Sequence, residues 1–200
     1  MIFYEAADSL SGPILQVHEW IQEAQDIEVA LPHAMNIASL DSIGRPTSRM
    51  VLLKRISEEG FVFFTDYEGN KGKQISAVPH VALTFWWAQT NKQIRIEGEC
   101  SKVSEKENDE YFSSRPRGSQ ISASVSLQSQ ELESYESLTK KSESFEKEYS
   151  NSTIERPARW GGFIVSPTSI EFWIDQKNRL HKRELYSKSG PDWNKALLSP

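Results

Sequence analysis

Four short stretches of this chain carry residue types that could do chemistry, and each carries positive charge. Arg49-Met50-Val51-Leu52-Leu53-Lys54 is an apolar run bounded by two cations, between the turn Ser42–Pro46 and Glu58-Glu59-Gly60. Its length and flanks favour a strand. Alternation then puts Arg49 on one face with Val51 and Leu53, and Lys54 on the other with Met50 and Leu52, so that one strand addresses two anionic groups. Alone, it reads as a core strand with charged ends. Gly69-Asn70-Lys71-Gly72 puts a lysine in a glycine-rich helix start, where free N–H groups and the helix dipole favour a phosphate; an ordinary turn fits equally. Tyr111 and Arg115 stand one helical turn apart, with Ser119 beyond. With Lys54 they would suit a second phosphate, although a packed helix face with a solvated arginine is the stronger reading of the bare pair. In Arg179-Leu180-His181-Lys182-Arg183, strand alternation places Arg179, His181 and Arg183 on one face, and His181 has the intrinsic pKa of a general base. A charged edge strand is the alternative.

No Ser-His-Asp or Cys-His nucleophile pattern and no dinucleotide-binding glycine fingerprint stands out. Any catalysis would therefore rest on a bound cofactor.

The elements that must position these groups are mostly strands. Gly12-Pro13 opens a helix whose Ile14, Val17, Ile21 and Ala24 form one stripe, with Trp20 beside it. Residues 35–41, 47–56 and 61–66 read as antiparallel strands joined at Gly44 and Gly60. A short helix follows Gly69 and ends before Pro79. Residues 81–87 are nearly continuously apolar and read as a central strand. From Lys92 to Val103, Ile94, Ile96, Gly98 and Cys100 alternate with Gln93, Arg95, Glu97 and Glu99. Ser104-Glu105-Lys106-Glu107 has capping-box spacing and starts a helix that Pro116 breaks. A second short helix spans 119–126, and 130–149 is a solvated helix with one thin apolar stripe. Residues 160–165, 170–174 and 180–187 are the last strands, with Pro167 and Gly190-Pro191 at turns. The expected class is α+β, mainly antiparallel β, with one barrel decorated by helices and no domain boundary over 1–200. Residues 1–11 are expected to be flexible.

Composition bounds the function. Lys and Arg number 23 against 28 Asp and Glu, giving a net charge of −5, which argues against nucleic acid or an anionic membrane as partner. The single cysteine, Cys100, has no partner for an intrachain disulfide, and metal-ligand spacing is absent. No run is long enough to span a membrane and residues 1–5 lack the features of a signal peptide, so a cytoplasmic protein is expected.

The four stretches sit in a wider pattern. With Phe63-Phe64-Thr65, Lys71, Gln93, Tyr111–Arg117, Gln128-Ser129, Trp160–Phe163, Glu171-Phe172-Trp173 and Arg179–Arg183, the chain from about Leu15 to Pro200 resembles the pyridoxamine 5'-phosphate oxidase family. The resemblance implies an FMN-binding split β-barrel that forms a homodimer, with flavin at the subunit interface. It implies that Arg49, Met50, Val51, Leu52, Leu53, Lys54, Phe64, Thr65, Asn70, Lys71, Gln93, Gln128, Ser129, Trp173 and Arg183 bind FMN. Substrate-binding residues by the same resemblance are Lys54, Tyr111, Arg115, Ser119, Arg179 and His181, with Arg179 and His181 at the reacting carbon. The implied reaction oxidises pyridoxamine 5'-phosphate or pyridoxine 5'-phosphate to pyridoxal 5'-phosphate. A hydride passes to the flavin, and dioxygen is reduced to hydrogen peroxide.

Some positions depart from the family pattern. Asn70 stands where an arginine is usual, Phe64 where a tyrosine is common, and Leu197 where an arginine is usual. The Arg- and Tyr-bearing segment that precedes the first helix in many members is not recognisable in Met1–Ser11. Two rival readings follow. One is a flavin- or pyridoxal-phosphate-binding protein without turnover, which Arg179 and His181 argue against. The other is a split-barrel flavin reductase with another substrate, which Lys54, Tyr111, Arg115 and Ser119 argue against.

Overall fold

The structure, a computed structural model, describes the backbone of Phe3–Tyr4 and residues 9–150 and 152–200. Most of the expected flexible segment 1–11 lies outside the described residues. Within it, Phe3–Tyr4 (β1) pairs in parallel with Arg55–Ile56, and Leu10 is buried.

Helix α1 (Gly12–Asp26) starts where expected: Ser11 is its extended N-cap and Pro13 sits in its first turn, where a missing N–H costs nothing. Ile14, Val17, Trp20, Ile21 and Ala24 are its buried stripe. Trp20 meets Phe172 edge-on at 5.0 Å, and Lys92 Nζ lies over the Trp20 ring, 4.7 Å from its centre.

Strands β2 (Ala34–Leu40) and β3 (Pro46–Leu52) form a hairpin through Gly44, whose φ of +82° suits glycine. The single strand expected over 47–56 is two. β3 stops at Leu52, Leu53 N donates to His33 O, Lys54 N donates to Val62 O, and β4 (Arg55–Ser57) pairs with β5 (Gly60–Asp66). The chain crosses here from one edge of the sheet to the other, which a continuous apolar run does not reveal.

After α2 (Asn70–Ala77), β6 (His80–Trp87) and β7 (Lys92–Lys102) follow as expected, and β7 buries Ile94, Ile96, Gly98 and Cys100. Ser104 Oγ accepts from Glu107 N at 3.1 Å and caps α3 (Glu105–Ser114). α4 (Arg117–Val125) and α5 (Tyr135–Glu148) come next; α5 buries no residue, and Leu138, Phe145 and Tyr149 only brush the cluster around Phe112 and Trp160.

One strand replaces the two expected around Pro167. β8 (Trp160–Ile174) runs straight through, and its partner changes midway. Residues 160–165 pair with β5, and 169–174 pair with β9 (Lys182–Ser189). The change falls where Pro167 lacks an N–H and the register with β7 shifts between Glu97 and Gly98. β10 (Asp192–Leu198), absent from the sequence reading, closes a hairpin with β9 across Gly190-Pro191.

The sheet order is β1-β4-β5-β8-β7-β6-β2-β3, with β9 beside β8 and β10 beside β9. All pairs except β1–β4 are antiparallel, and the sheet curls into a half-barrel around Met35, Ile37, Phe61, Phe63, Leu83, Phe85, Ile96 and Phe172. No helix among the described residues is long and apolar enough to cross a membrane.

Candidate active site

A cleft of about 560 Å³ opens between the β3 edge, β5, α3 and the α4 end. It is lined by Met50, Val51, Leu52, Lys54, Phe64, Thr65, Lys71, Tyr111, Ser114, Arg115, Pro116, Ser119, Gln128 and Trp160. Cations stand here in two pairs, Lys71 with Arg49 and Lys54 with Arg115, and all but Arg49 line the cleft.

The first pair is Lys71 and Arg49. α2 begins at Gly69 without a side-chain cap, and a Cβ on Gly69 would come within 2.9 Å of Gln128 Oε1. That close approach lets Gln128 Oε1 reach Lys71 Nζ at 2.6 Å and accept from Thr65 Oγ1 at 3.0 Å. Lys71 Nζ also donates to Thr65 Oγ1. Arg49 donates to Ser39 Oγ and Thr47 Oγ1, each at 2.7 Å, and to Gln74 Oε1 at 3.0 Å. All these partners are neutral, and among the described residues neither cation has a carboxylate within ion-pair distance. Burial, and then Arg49, push the Lys71 ammonium from the ordinary 10.5 down to about 8, with Asp66 opposing. Burial also lowers the Arg49 pKa.

The loop that supplies Gln128 and Ser129 is held from behind. Arg159 donates through Nη2 to the carbonyls of Ala123, Ser124 and Ser126, satisfying the open end of α4, and through Nε to Asp66 Oδ2 at 3.0 Å. Ser129 Oγ in turn accepts from Asn70 N at 3.2 Å.

The second pair is Lys54 and Arg115. α3 ends at Ser114, so Arg115 is the extended C-cap (φ −72°, ψ 149°) rather than a helical neighbour of Tyr111. Its guanidinium lies 4.4 Å from the Trp160 ring centre, and its Nη1 is buried with no hydrogen-bond partner. Burial lowers the pKa of Lys54, and Arg115 lowers it further. Neither cation has a carboxylate partner among the described residues. Phe64 stacks on Tyr111 at 3.8 Å and on Trp160 at 5.5 Å, an aromatic wall of the cleft. Burial raises the Tyr111 pKa, with Arg115 opposing. Asn108, fully buried, pins α3 to this wall, accepting from Gly162 N at 2.7 Å and donating to Tyr67 Oη at 3.3 Å.

The remaining expected residues lie elsewhere. Gln93, Trp173 and Arg183 are cross-strand neighbours on β7, β8 and β9, on the face opposite core residues Ile94 and Phe172. Arg183 is bound to Glu171 and to Ser199 O, and the hydrogen bond to Glu171 raises its pKa. Arg179 and His181 are not in a strand with Arg183. Residues 177–179 form a 3-10 turn, Asn178 and Arg179 have φ of +57° and +60°, and β9 begins only at Lys182. Arg179 is exposed. The His181 ring packs on Trp173 at 4.5 Å, and its Nδ1 lies 2.9 Å from Asp175 Oδ1. Leu53, expected at the cofactor, is wholly buried in the core.

Three lining residues were missed as site residues, Ser114, Pro116 and Trp160, and so was Gln74, which holds Arg49. Gln74 falls three positions after Lys71 on α2, a spacing that was readable. Trp160 lies far from Arg115 in sequence and gave no local signal.

The pyridoxamine 5'-phosphate oxidase family matches residues 21–148, and the pyridoxine 5'-phosphate oxidase C-terminal dimerisation region matches residues 160–200. The pyridoxine/pyridoxamine 5'-phosphate oxidase of Rubrobacter xylanophilus is 44% identical over 94% of this chain and 87% of its own. That of Synechocystis sp. is 42% identical over 97% of this chain and 91% of its own. Among solved structures, PhzG from Burkholderia lata 383, in complex with tetrahydrophenazine-1-carboxylic acid, superposes with a TM-score of 0.90 at 29% identity, covering 100% of this chain and 98% of its own. A pyridoxamine 5'-phosphate oxidase-related, FMN-binding protein from Nostoc punctiforme shares the fold with a TM-score of 0.76 at 15% identity, over 96% of this chain and 100% of its own. With both halves matched and more than two-fifths of its residues shared with curated relatives across nearly its whole length, the chain belongs to the pyridoxine/pyridoxamine 5'-phosphate oxidase family.

Proposed function

We propose that this protein is an FMN-dependent oxidase of pyridoxamine 5'-phosphate and pyridoxine 5'-phosphate, forming pyridoxal 5'-phosphate. One observation carries the reading: Lys71 with Arg49 beside it, and Lys54 with Arg115, are two cation pairs with no carboxylate partner among the described residues, at one aromatic-walled cleft. Lys71 is buried and the other three cations are half-buried. Cations withdrawn from water are costly unless paired, so each pair calls for an anion, and a phosphorylated cofactor with a phosphorylated substrate supplies two.

Lys71 and Arg49 hold the FMN phosphate. The neutral oxygens of Thr65 and Gln128 keep the Lys71 ammonium aimed without neutralising it. Lys54 and Arg115 take the substrate phosphate, with the Tyr111 and Ser119 hydroxyls beside them. Bound FMN would supply the redox chemistry, as hydride acceptor with dioxygen as the final oxidant and hydrogen peroxide as its product. The Phe64–Tyr111–Trp160 wall excludes water from the ring-binding space.

The protein works as a homodimer, because one subunit holds only part of the site. Gln93, Trp173, Arg179, His181 and Arg183 lie outside its cleft, on the matched dimerisation region and the adjoining strand, and a second copy brings its own set to it. In that set His181 Nδ1 accepts from Gln176 N and lies against Asp175 Oδ1, so Nε2 is the nitrogen left to meet substrate. Trp86, half exposed beside Trp173, extends the same face. The purified protein is expected to be yellow, or to take up one FMN per subunit, and to sediment as a dimer. A monomer with no flavin spectrum after incubation with FMN would overturn the reading.

Asn70 leaves room for improvement. It sits at the first position of α2 with an exposed side chain, beside Lys71. Asn70→Arg is expected to tighten FMN binding about tenfold, the worth of one added charge-assisted bond. Flavin-fluorescence titration of both proteins checks this; equal or weaker binding would mean that position 70 does not meet the phosphate.

A further inference from the structure

Glu171 is one of the few buried carboxylates in the described chain, at 6% exposure, and it lies between two guanidinium groups. Its Oε1 accepts from Arg183 Nε at 2.7 Å, and its Oε2 accepts from Arg95 Nη1 at 3.1 Å. We propose that Glu171 is a positioning residue for the cofactor, acting through Arg183. The proposal rests on the reading of Arg183 as an FMN residue given above.

The sheet register shows how the contact is built. Gln93, Trp173 and Arg183 form one row across β7, β8 and β9, and Arg95, Glu171 and Leu185 form the next. Arg183 therefore reaches back by one row to meet Glu171, while its Nη1 is fastened to Ser199 O at 3.0 Å. Nε and Nη1 are both engaged, and among the described residues Nη2 has no partner. A freely rotating arginine gives up its side-chain entropy when it meets a ligand. One already fixed at two nitrogens gives up much less. Arg95 completes the device: its Nη1 holds the second carboxylate oxygen, so both oxygens of the buried group are paired.

Charge alone predicts the opposite result. A carboxylate beside Arg183 weakens the local positive field, so removing it would strengthen attraction for an anionic ligand. A third possibility is that the triad merely fastens β7, β8 and β9 together. The three accounts separate on FMN affinity in a double-mutant cycle.

FMN dissociation constants would be measured by fluorescence titration for the dimeric wild type, Glu171→Gln, Glu171→Asp, Arg183→Ala and the double variant Glu171→Gln/Arg183→Ala. The Michaelis constant for pyridoxine 5'-phosphate would be measured at saturating FMN. Positioning predicts that Glu171→Gln and Glu171→Asp each weaken FMN binding about tenfold, the second although it keeps the charge. It also predicts that Glu171→Gln adds less than about twofold once Arg183 is alanine. The substrate constant should stay within about twofold of wild type. Unchanged or tighter FMN binding in Glu171→Gln and Glu171→Asp overturns the proposal in favour of charge. An equal loss in both Arg183 backgrounds overturns it in favour of strand fastening. If Arg183→Ala itself leaves FMN binding unchanged, the assignment of Arg183 to the cofactor fails and the positioning role falls with it. Should Glu171→Gln not fold, Glu171→Asp against Arg183→Ala supplies the same cycle.

Discussion

Lys71→Met is expected to weaken FMN binding about a hundredfold while leaving the fold intact. Lys71 is 9% exposed, and its ammonium meets only the neutral oxygens of Thr65 and Gln128. Methionine fills nearly the same volume without the charge, so the unliganded protein loses little packing. The bound phosphate, however, loses a charge-assisted bond in a shielded site, where each is worth about 1.5–3 kcal/mol, and Arg49 alone remains. Flavin titration and a thermal melt of the unliganded variant check the two halves of the expectation. A variant that binds FMN like wild type would show that the phosphate sits elsewhere.

The same lysine sets a pH dependence. Its pKa of about 8 leaves it charged at neutral pH and neutral above that value. The phosphate is fully ionised above its second pKa near 6. FMN affinity is therefore expected to be highest between about pH 6 and 8, and the logarithm of the dissociation constant to rise toward one unit per pH unit above. Unliganded stability should trend the other way over this range. The folded pKa lies below the ordinary 10.5, so the unfolded chain binds more protons between the two values, and this group's contribution to stability increases as pH rises from about 8 toward 10.5. In Lys71→Met both trends should disappear.

Arg115→Ala is the second large effect, and it falls on the substrate. The guanidinium stands over Trp160 with one buried nitrogen unpartnered, beside Lys54. Its removal should raise the Michaelis constant for pyridoxamine 5'-phosphate roughly tenfold to a hundredfold, with kcat less affected where binding is uniform. FMN affinity should be nearly unchanged, because the FMN phosphate site proposed above is Lys71 and Arg49. Arg179→Ala should differ, lowering kcat itself, as expected for a residue at the carbon that loses hydride. An Arg115→Ala protein that loses flavin and keeps its substrate constant would mean the two phosphate sites are assigned in reverse.

Much of this was readable from local pattern. The stripe of α1, the alternation of β7 and the Ser104 cap each depend on near neighbours, and each stands where spacing put it. What escaped depends on distant partners. The break after Leu52 is set by hydrogen bonds to His33 and Val62, and the passage of β8 through Pro167 by strands on both sides. The turn at Asn178 and Arg179 takes two positive-φ residues, neither of them glycine, so nothing in the composition announced it. The site was half legible. Spacing marked the cations, but only folding shows that Arg49 faces Gln74, that Arg115 rests on Trp160, and that Arg183 is shared with Glu171.

The central claim is that one cleft brings a flavin and a phosphorylated vitamer together for oxidation. Oxygen uptake by the FMN-loaded protein, followed with pyridoxine 5'-phosphate and with pyridoxamine 5'-phosphate, tests it directly. The account predicts uptake with at least one vitamer, with one pyridoxal 5'-phosphate and one hydrogen peroxide formed per dioxygen, and none with the unphosphorylated vitamers at the same concentration. An FMN-loaded dimer that binds both phosphates and consumes no oxygen with either would contradict it.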